Sequence, residues 1–170
     1  MKKCFLILVV LFFSVSLFAQ TDSTTPPYKK YPTLPPIQIL LGDSTTKYTK
    51  ENIPVGKPVL VMIFSPECSH CQHEAEQLLV HKEELKNIQV VMITFHPLWQ
   101  MNAFVNDYKL KELPNLVVGK DIYYLMPSFY SIHNLPFLAM YDKKGDLISV
   151  FEGSMDVEKA IQTLNGNSSE

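Results

Sequence analysis

The sequence predicts an α/β domain with a central mixed sheet, helices on both faces and an extra N-terminal β-hairpin. Three observations predict it. Two apolar runs, Val59 to Phe64 and Ile88 to Phe95, have the length and β-branched content of buried strands. A segment of helical character follows each of them. Phe137 to Tyr141 and Leu147 to Phe151 then flank the tight turn Asp142-Lys143-Lys144-Gly145-Asp146, which reads as a hairpin.

Taken in order, Ile37 to Leu41 reads as a strand, Gly42-Asp43-Ser44 as a turn, and Thr45 to Thr49 as a short return strand. Gly56-Lys57-Pro58 breaks the chain before the strand at 59–64. Ser69 to about Lys86 is a helix, with Ala75, Leu78, Leu79, Lys82 and Leu85 along one side. After the strand ending at Phe95 and the break at His96-Pro97, Leu98 to Lys109 is helical. Asn115 to Val118 is a short apolar run, and Tyr123 to Tyr130 a short helix interrupted by Pro127. Met155 to Leu164 closes the domain as a helix.

The chemistry concentrates at Cys68-Ser69-His70-Cys71, directly behind the apolar strand. A strand that delivers C-x-x-C onto the first turn of a helix builds a reactive dithiol. Unpaired N–H groups and the positive end of the helix dipole there favour a thiolate at Cys68. The thiolate is the species that attacks disulfides and binds soft metals.

Cys4 lies within Met1-Lys2-Lys3 and the apolar stretch Phe5 to Ala19, which has the form of a signal peptide cleaved after Ala19. An uncleaved anchor is the alternative. Cys4 is too early to be a lipoprotein cysteine, and its removal leaves only the two motif cysteines. An exported chain with one C-x-x-C has no disulfide framework to staple, so the pair is chemical equipment. Residues 20–36, with five of the twelve prolines, read as an extended tether. Residues 37–164 form one domain, and 165–170 a frayed tail in which Asn167-Ser168-Ser169 matches a glycosylation triplet. Without Lys2 and Lys3 the chain carries 13 basic and 17 acidic residues, a formal charge of −4, and it has no arginine. That balance argues against nucleic acid as a partner.

On these residues the chain resembles the exported TlpA/ResA-like thiol–disulfide oxidoreductases, which have a thioredoxin fold. The resemblance spans roughly residues 37–164. It rests on Gly56 to Val61 leading into the motif, on Cys68-Ser69-His70-Cys71, on Glu74, and on Leu135-Pro136-Phe137-Leu138-Ala139-Met140-Tyr141-Asp142-Lys143-Lys144-Gly145. It implies a cis Pro136 facing the dithiol, with the backbone of Leu135 free to pair with an extended client segment. It also implies Cys68 as nucleophile, Cys71 as resolving cysteine and Glu74, at i+3 from Cys71, as the acid beside it. A buried Glu74 has a raised pKa and suits proton exchange with Cys71.

The resemblance further implies client proteins with disulfides or thiols, a membrane thiol donor or oxidant, no cofactor, a monomer, and a place in the periplasm or cell envelope. Two departures stand out. Glu67 replaces the Trp common before the first cysteine, and Met62 stands where core thioredoxins carry a buried Asp. His70 stabilises the thiolate and the reduced state, as in motifs of the disulfide isomerase type. The span from thioredoxin to disulfide isomerase is about 90 mV, or roughly 4 kcal/mol for two electrons. Glu67 opposes that effect.

The other chemical class is copper or zinc handling, since Cys68, His70, Cys71 and His73 pack four soft-metal ligands into six residues, with His133 the one distant candidate. Adjacent helical residues point apart, and no second C-x₂-C exists for a structural zinc site. Gln72 after Cys71 breaks the cytochrome c attachment signature, and no Thr stands three residues before Cys68 for a peroxiredoxin. Trp99 is expected to pack under the 98–109 helix, with a place in the client groove as the alternative. The segment 98–130 reads as an insertion that sets partner choice.

Overall fold

A computed structural model describes residues 25–166. The expected signal segment 1–19, its Cys4, the beginning of the expected tether and the Asn167 triplet lie outside the described residues. Among the described residues fifteen elements follow one another, beginning with the helical turn α1 (Pro27–Lys30) and the hairpin β1 (Gln38–Leu41) and β2 (Lys47–Thr49). Then come β3 (Val59–Ile63), α2 (Ser69–Val80), β4 (Gln89–Thr94), α3 (Leu98–Asp107), β5 (Leu116–Lys120) and α4 (Leu125–Tyr130). The chain closes with β6 (Phe137–Tyr141), β7 (Leu147–Glu152) and α5 (Val157–Leu164). Three short 3₁₀ turns, Lys50–Asn52, Glu84–Asn87 and Leu110–Glu112, complete the order.

All seven strands join one mixed sheet in the order β2-β1-β5-β4-β3-β6-β7. β3 and β4 are parallel, with Ile63 opposite Ile93, and β3 and β6 antiparallel, with Ile63 opposite Phe137. The alternation of strand side chains divides the core into two layers. Leu60 and Met62 face α2, α3 and α5, together with Cys71, Leu78, Phe104 and Ile161. Val59, Val61 and Ile63 face the opposite layer, with Ile39, Met126, Tyr130 and Tyr141. Every residue of β3 and β4 is buried, which is why their sequences read as continuous apolar runs. Among the described residues no helix is long and apolar enough to cross a membrane.

Four sequence expectations change. The proline-rich composition predicts no regular element before Ile37, yet Pro26-Pro27 opens α1, because proline suits the first helical position, where an N–H has no partner. That segment is docked onto the domain, for Leu34 N–H donates to Gly145 O at 2.9 Å and Thr33 bridges to Asp146. The motif helix stops at Val80 instead of reaching Lys86. The chain turns at His81, and the 3₁₀ turn brings Leu85 fully into the core, where Asn115 Nδ2 donates to its carbonyl at 2.6 Å. Pro127 does not interrupt α4 but sits in its first turn. Finally, segment 98–130, expected as an insertion, is part of the sheet framework itself. It supplies β5, which pairs with β4 on one side and β1 on the other. Gly119 permits this, since a Cβ there would come within 2.6 Å of the Ile39 side chain.

Candidate active site

Strand β3 ends under the dithiol, and its direction fixes where the sulfurs lie. Cys68 is the N-cap of α2, in extended backbone (φ −85°, ψ 116°), and its Sγ accepts the Cys71 backbone N–H at 3.4 Å. A cap normally offers oxygen to the unpaired N–H groups of the first turn, and here sulfur takes that place. Both cysteines are free; Cys68 is partly exposed and Cys71 is completely buried. Burial pushes the Cys71 thiol up to about 12, and the nearby Cys68 and Glu74 add to the rise against a lowering backbone contact from Ser65.

Antiparallel pairing of β3 with β6 sets the start of β6 beside the end of β3. The Leu135-Pro136 peptide is cis and Pro136 is buried. The Cys68 thiol lies 3.7 Å from Leu135 O, within donating distance for sulfur. Leu135 therefore meets the dithiol across 67 positions of chain, and Pro136 follows it at the start of β6.

Glu74 is completely buried one turn beyond Cys71. Its Oε2 accepts the Met155 N–H at 3.3 Å, and its Oε1 has no hydrogen-bond partner. Desolvation raises this carboxyl to about 7, with Asp156 pushing the same way and the Met155 N–H pulling back. Met62 is fully buried in the same layer as Cys71, so that layer is apolar where an acid would otherwise stand.

His70 and Glu67 are both held by partners that the sequence did not suggest. His70 Nδ1 lies 3.2 Å from Ser154 Oγ, in the connection between β7 and α5. Glu67 Oε1 accepts from Gln100 Nε2 at 2.9 Å, and Gln100 Oε1 lies 3.1 Å from His96 Nδ1. Trp99 does not pack under α3; it is 71% exposed and lines a cleft with Pro66 and Glu67. His133 is turned to Glu152, with 3.7 Å between Nδ1 and Oε1, and His73 faces Glu76. Among the described residues no three ligand-type side chains converge on one point. The contacts of Ser154, Met155 and Gln100 span 33 to 84 positions and join residues of ordinary type, so no local pattern announces them.

A C-x-x-C at the head of a helix, behind a central strand and opposite a cis-proline on the antiparallel neighbour, defines a thioredoxin-fold dithiol protein. Residues 46–166 match the family described as Thioredoxin-like domain, and the chain belongs to that family. No curated protein matches the sequence. Among solved structures, DsbF of Mycobacterium tuberculosis is 20% identical, with 80% of this chain and 100% of that chain covered and a TM-score of 0.67. The exposed lipoprotein thioredoxin Etrx1 of Streptococcus pneumoniae is 22% identical, with 77% and 98% covered and a TM-score of 0.61. A secreted M. tuberculosis disulfide oxidoreductase, described as homologous to DsbE of E. coli, is 17% identical, with 76% and 95% covered and a TM-score of 0.64.

Proposed function

We propose that the protein is an exported, TlpA/ResA-like thiol–disulfide oxidoreductase that exchanges electrons with client proteins through Cys68 and Cys71. One observation carries this reading: a partly exposed sulfur caps the helix while its partner lies buried one turn inside.

Cys68 attacks a client disulfide as the thiolate. A mixed disulfide forms, and the other client sulfur leaves and takes up a proton. Cys71 must then lose its own proton, which burial holds on up to about 12. Glu74, at about 7, is matched to accept that proton near neutral pH. The Cys71 thiolate attacks Cys68 Sγ, the intramolecular disulfide closes, and the second client sulfur departs. Two electrons have then passed to the client. A membrane thiol donor recharges the dithiol when the protein works as a reductase, and a membrane oxidant withdraws electrons when it works the other way. Leu135 offers its backbone beside the sulfurs to an extended client segment. The protein acts as a monomer in the periplasm or cell envelope, with residues 1–19 as its export signal and residues from 20 onward leading into the domain.

The test is reduction of insulin by dithiothreitol in the presence of the protein. Acceleration over dithiothreitol alone, lost in Cys68→Ala, is expected. A wild-type protein that adds nothing to the dithiothreitol rate overturns the reading.

A further inference from the structure

The cleft beside the dithiol is acidic and aromatic. Trp99, on the first turn of α3, leaves most of its indole in solvent, and it faces a space of about 220 Å³ shared with Glu67, Gln72 and Asp107. Both carboxylates belong to exposed residues, no lysine lines the space, and the chain has no arginine to neutralise it. Tyr108, which also lines it, has its hydroxyl raised by desolvation first and then by the charges of Glu76 and Asp107. Glu67 directly precedes Cys68, and successive Cα atoms are about 3.8 Å apart. The wall of the cleft that Glu67 forms therefore adjoins the residue that reacts with the client.

An indole face attracts a cation through its quadrupole, and flanking carboxylates complement and steer the same charge. We infer that the cleft between Trp99 and Glu67 selects clients that carry a lysine or arginine within about two residues of the reactive cysteine. The inference rests on the oxidoreductase reading above and specifies its substrate. The client disulfide gains two electrons and the protein dithiol loses them, as in the proposed mechanism; the basic side chain takes no part in bond exchange.

The experiment uses the reduced protein and four synthetic peptides, each a mixed disulfide with mercaptoethanol. They are identical except for Lys, Gln, Glu or Leu two residues from the cysteine. Rates are measured by stopped flow at low and high salt. The lysine peptide is expected to react at least fivefold faster than the glutamate peptide at low salt, with the glutamine peptide between them. That ratio should shrink toward one in Trp99→Ala, in Asp107→Asn and at high salt. Because each ratio is taken within one variant, altered dithiol reactivity cancels. Equal lysine and glutamate rates overturn the selection and leave the oxidoreductase reading intact, as does a leucine peptide that outruns the lysine peptide. A ratio unchanged in both variants overturns it too. If no peptide is reduced, the oxidoreductase reading falls and this inference falls with it.

Discussion

Met155 donates its backbone N–H to the buried carboxylate of Glu74 at 3.3 Å, while Ser154, one residue earlier, has its hydroxyl 3.2 Å from His70 Nδ1. His70 and Glu74 stand four residues apart on α2 and so share a face. One short connection between β7 and α5 thereby holds two of the residues expected to govern the dithiol. It also closes Glu74 off from water, leaving Oε1 unpaired.

The cost of burying Glu74 is charged only to its ionised form, and this makes stability depend on pH. With the folded carboxyl raised to about 7 from an ordinary value of 4.5, the folded protein binds more protons than the unfolded chain between those limits. Stability should therefore fall as pH rises from about 4.5 to 7 and level off above. The loss is on the order of 3 kcal/mol. Glu74→Gln should flatten this profile and raise stability at pH 8, as urea titrations at pH 5 and pH 8 would show. A wild-type profile already flat across that range would contradict the assignment.

The same substitution should slow release more than capture. Without the carboxylate, Cys71 should lack the proton acceptor proposed for it, and removal of a general base commonly costs about 10²-fold or more. Single-turnover kinetics should show wild-type release rising with pH through about 7. In Glu74→Gln that rise should vanish while the capture rate is little changed.

Division of labour between the sulfurs is open to trapping. Cys71→Ala should accumulate mixed disulfides through Cys68 on a non-reducing gel of an envelope extract, whereas Cys68→Ala should accumulate few. The exposure of one sulfur and the burial of the other give the reason. Equal trapping by both variants would remove the assignment.

Replacing His70 by proline should lower the reduction potential by about 30 mV, equivalent to 1.4 kcal/mol. Proline is tolerated in the first turn, so the helix start survives. The contribution expected of the imidazole to the reduced form is lost with the ring. Ser154→Ala, which frees the ring without removing it, should move the potential less in a glutathione-buffer titration. No change in His70→Pro would mean that the imidazole contributes nothing to the thiolate energy.

Stability has a separate test on the opposite layer. The Tyr130 and Tyr141 hydroxyls are buried and 2.5 Å apart. Tyr130→Phe strands the Tyr141 hydroxyl and should cost about 1–3 kcal/mol, while Tyr130→Phe with Tyr141→Phe should recover much of the loss. Denaturant midpoints of the three proteins decide this.

The sequence made legible whatever is local. The dithiol could be placed because an unbroken apolar strand, a cap position and C-x-x-C are contiguous, whereas Glu74 was singled out by the family resemblance, its i+3 spacing from Cys71 agreeing with that role. Leu135 and Pro136 needed the family resemblance, for nothing near them points to sulfur. β5 stayed hidden because Leu116–Lys120 is short and only partly buried, so its alternation is faint. Trp99 misled because a large apolar side chain is ordinarily a core residue; here the core beneath α3 is filled by Met101 and Phe104 instead. Ser154 could not have been found, since a serine in a connecting loop carries no signal of what it touches.

The antiparallel partnership of β3 with β6 has a consequence for the order in which the protein comes into being. Cys68 and Cys71 are synthesised early, but Leu135 and Met155 arrive late, the latter 81 residues after Glu74. At about 5–20 residues per second, the ribosome needs roughly 4–16 s to cross that interval. For the whole of it the nascent chain lacks the Met155 amide, and until Leu135 and β6 (Phe137–Tyr141) are added it also holds two thiols without the carbonyl and the strand that will surround them. A chain stalled between the two halves would present thiols without their regulating contacts, ready to pair with whatever thiol or disulfide lies nearby.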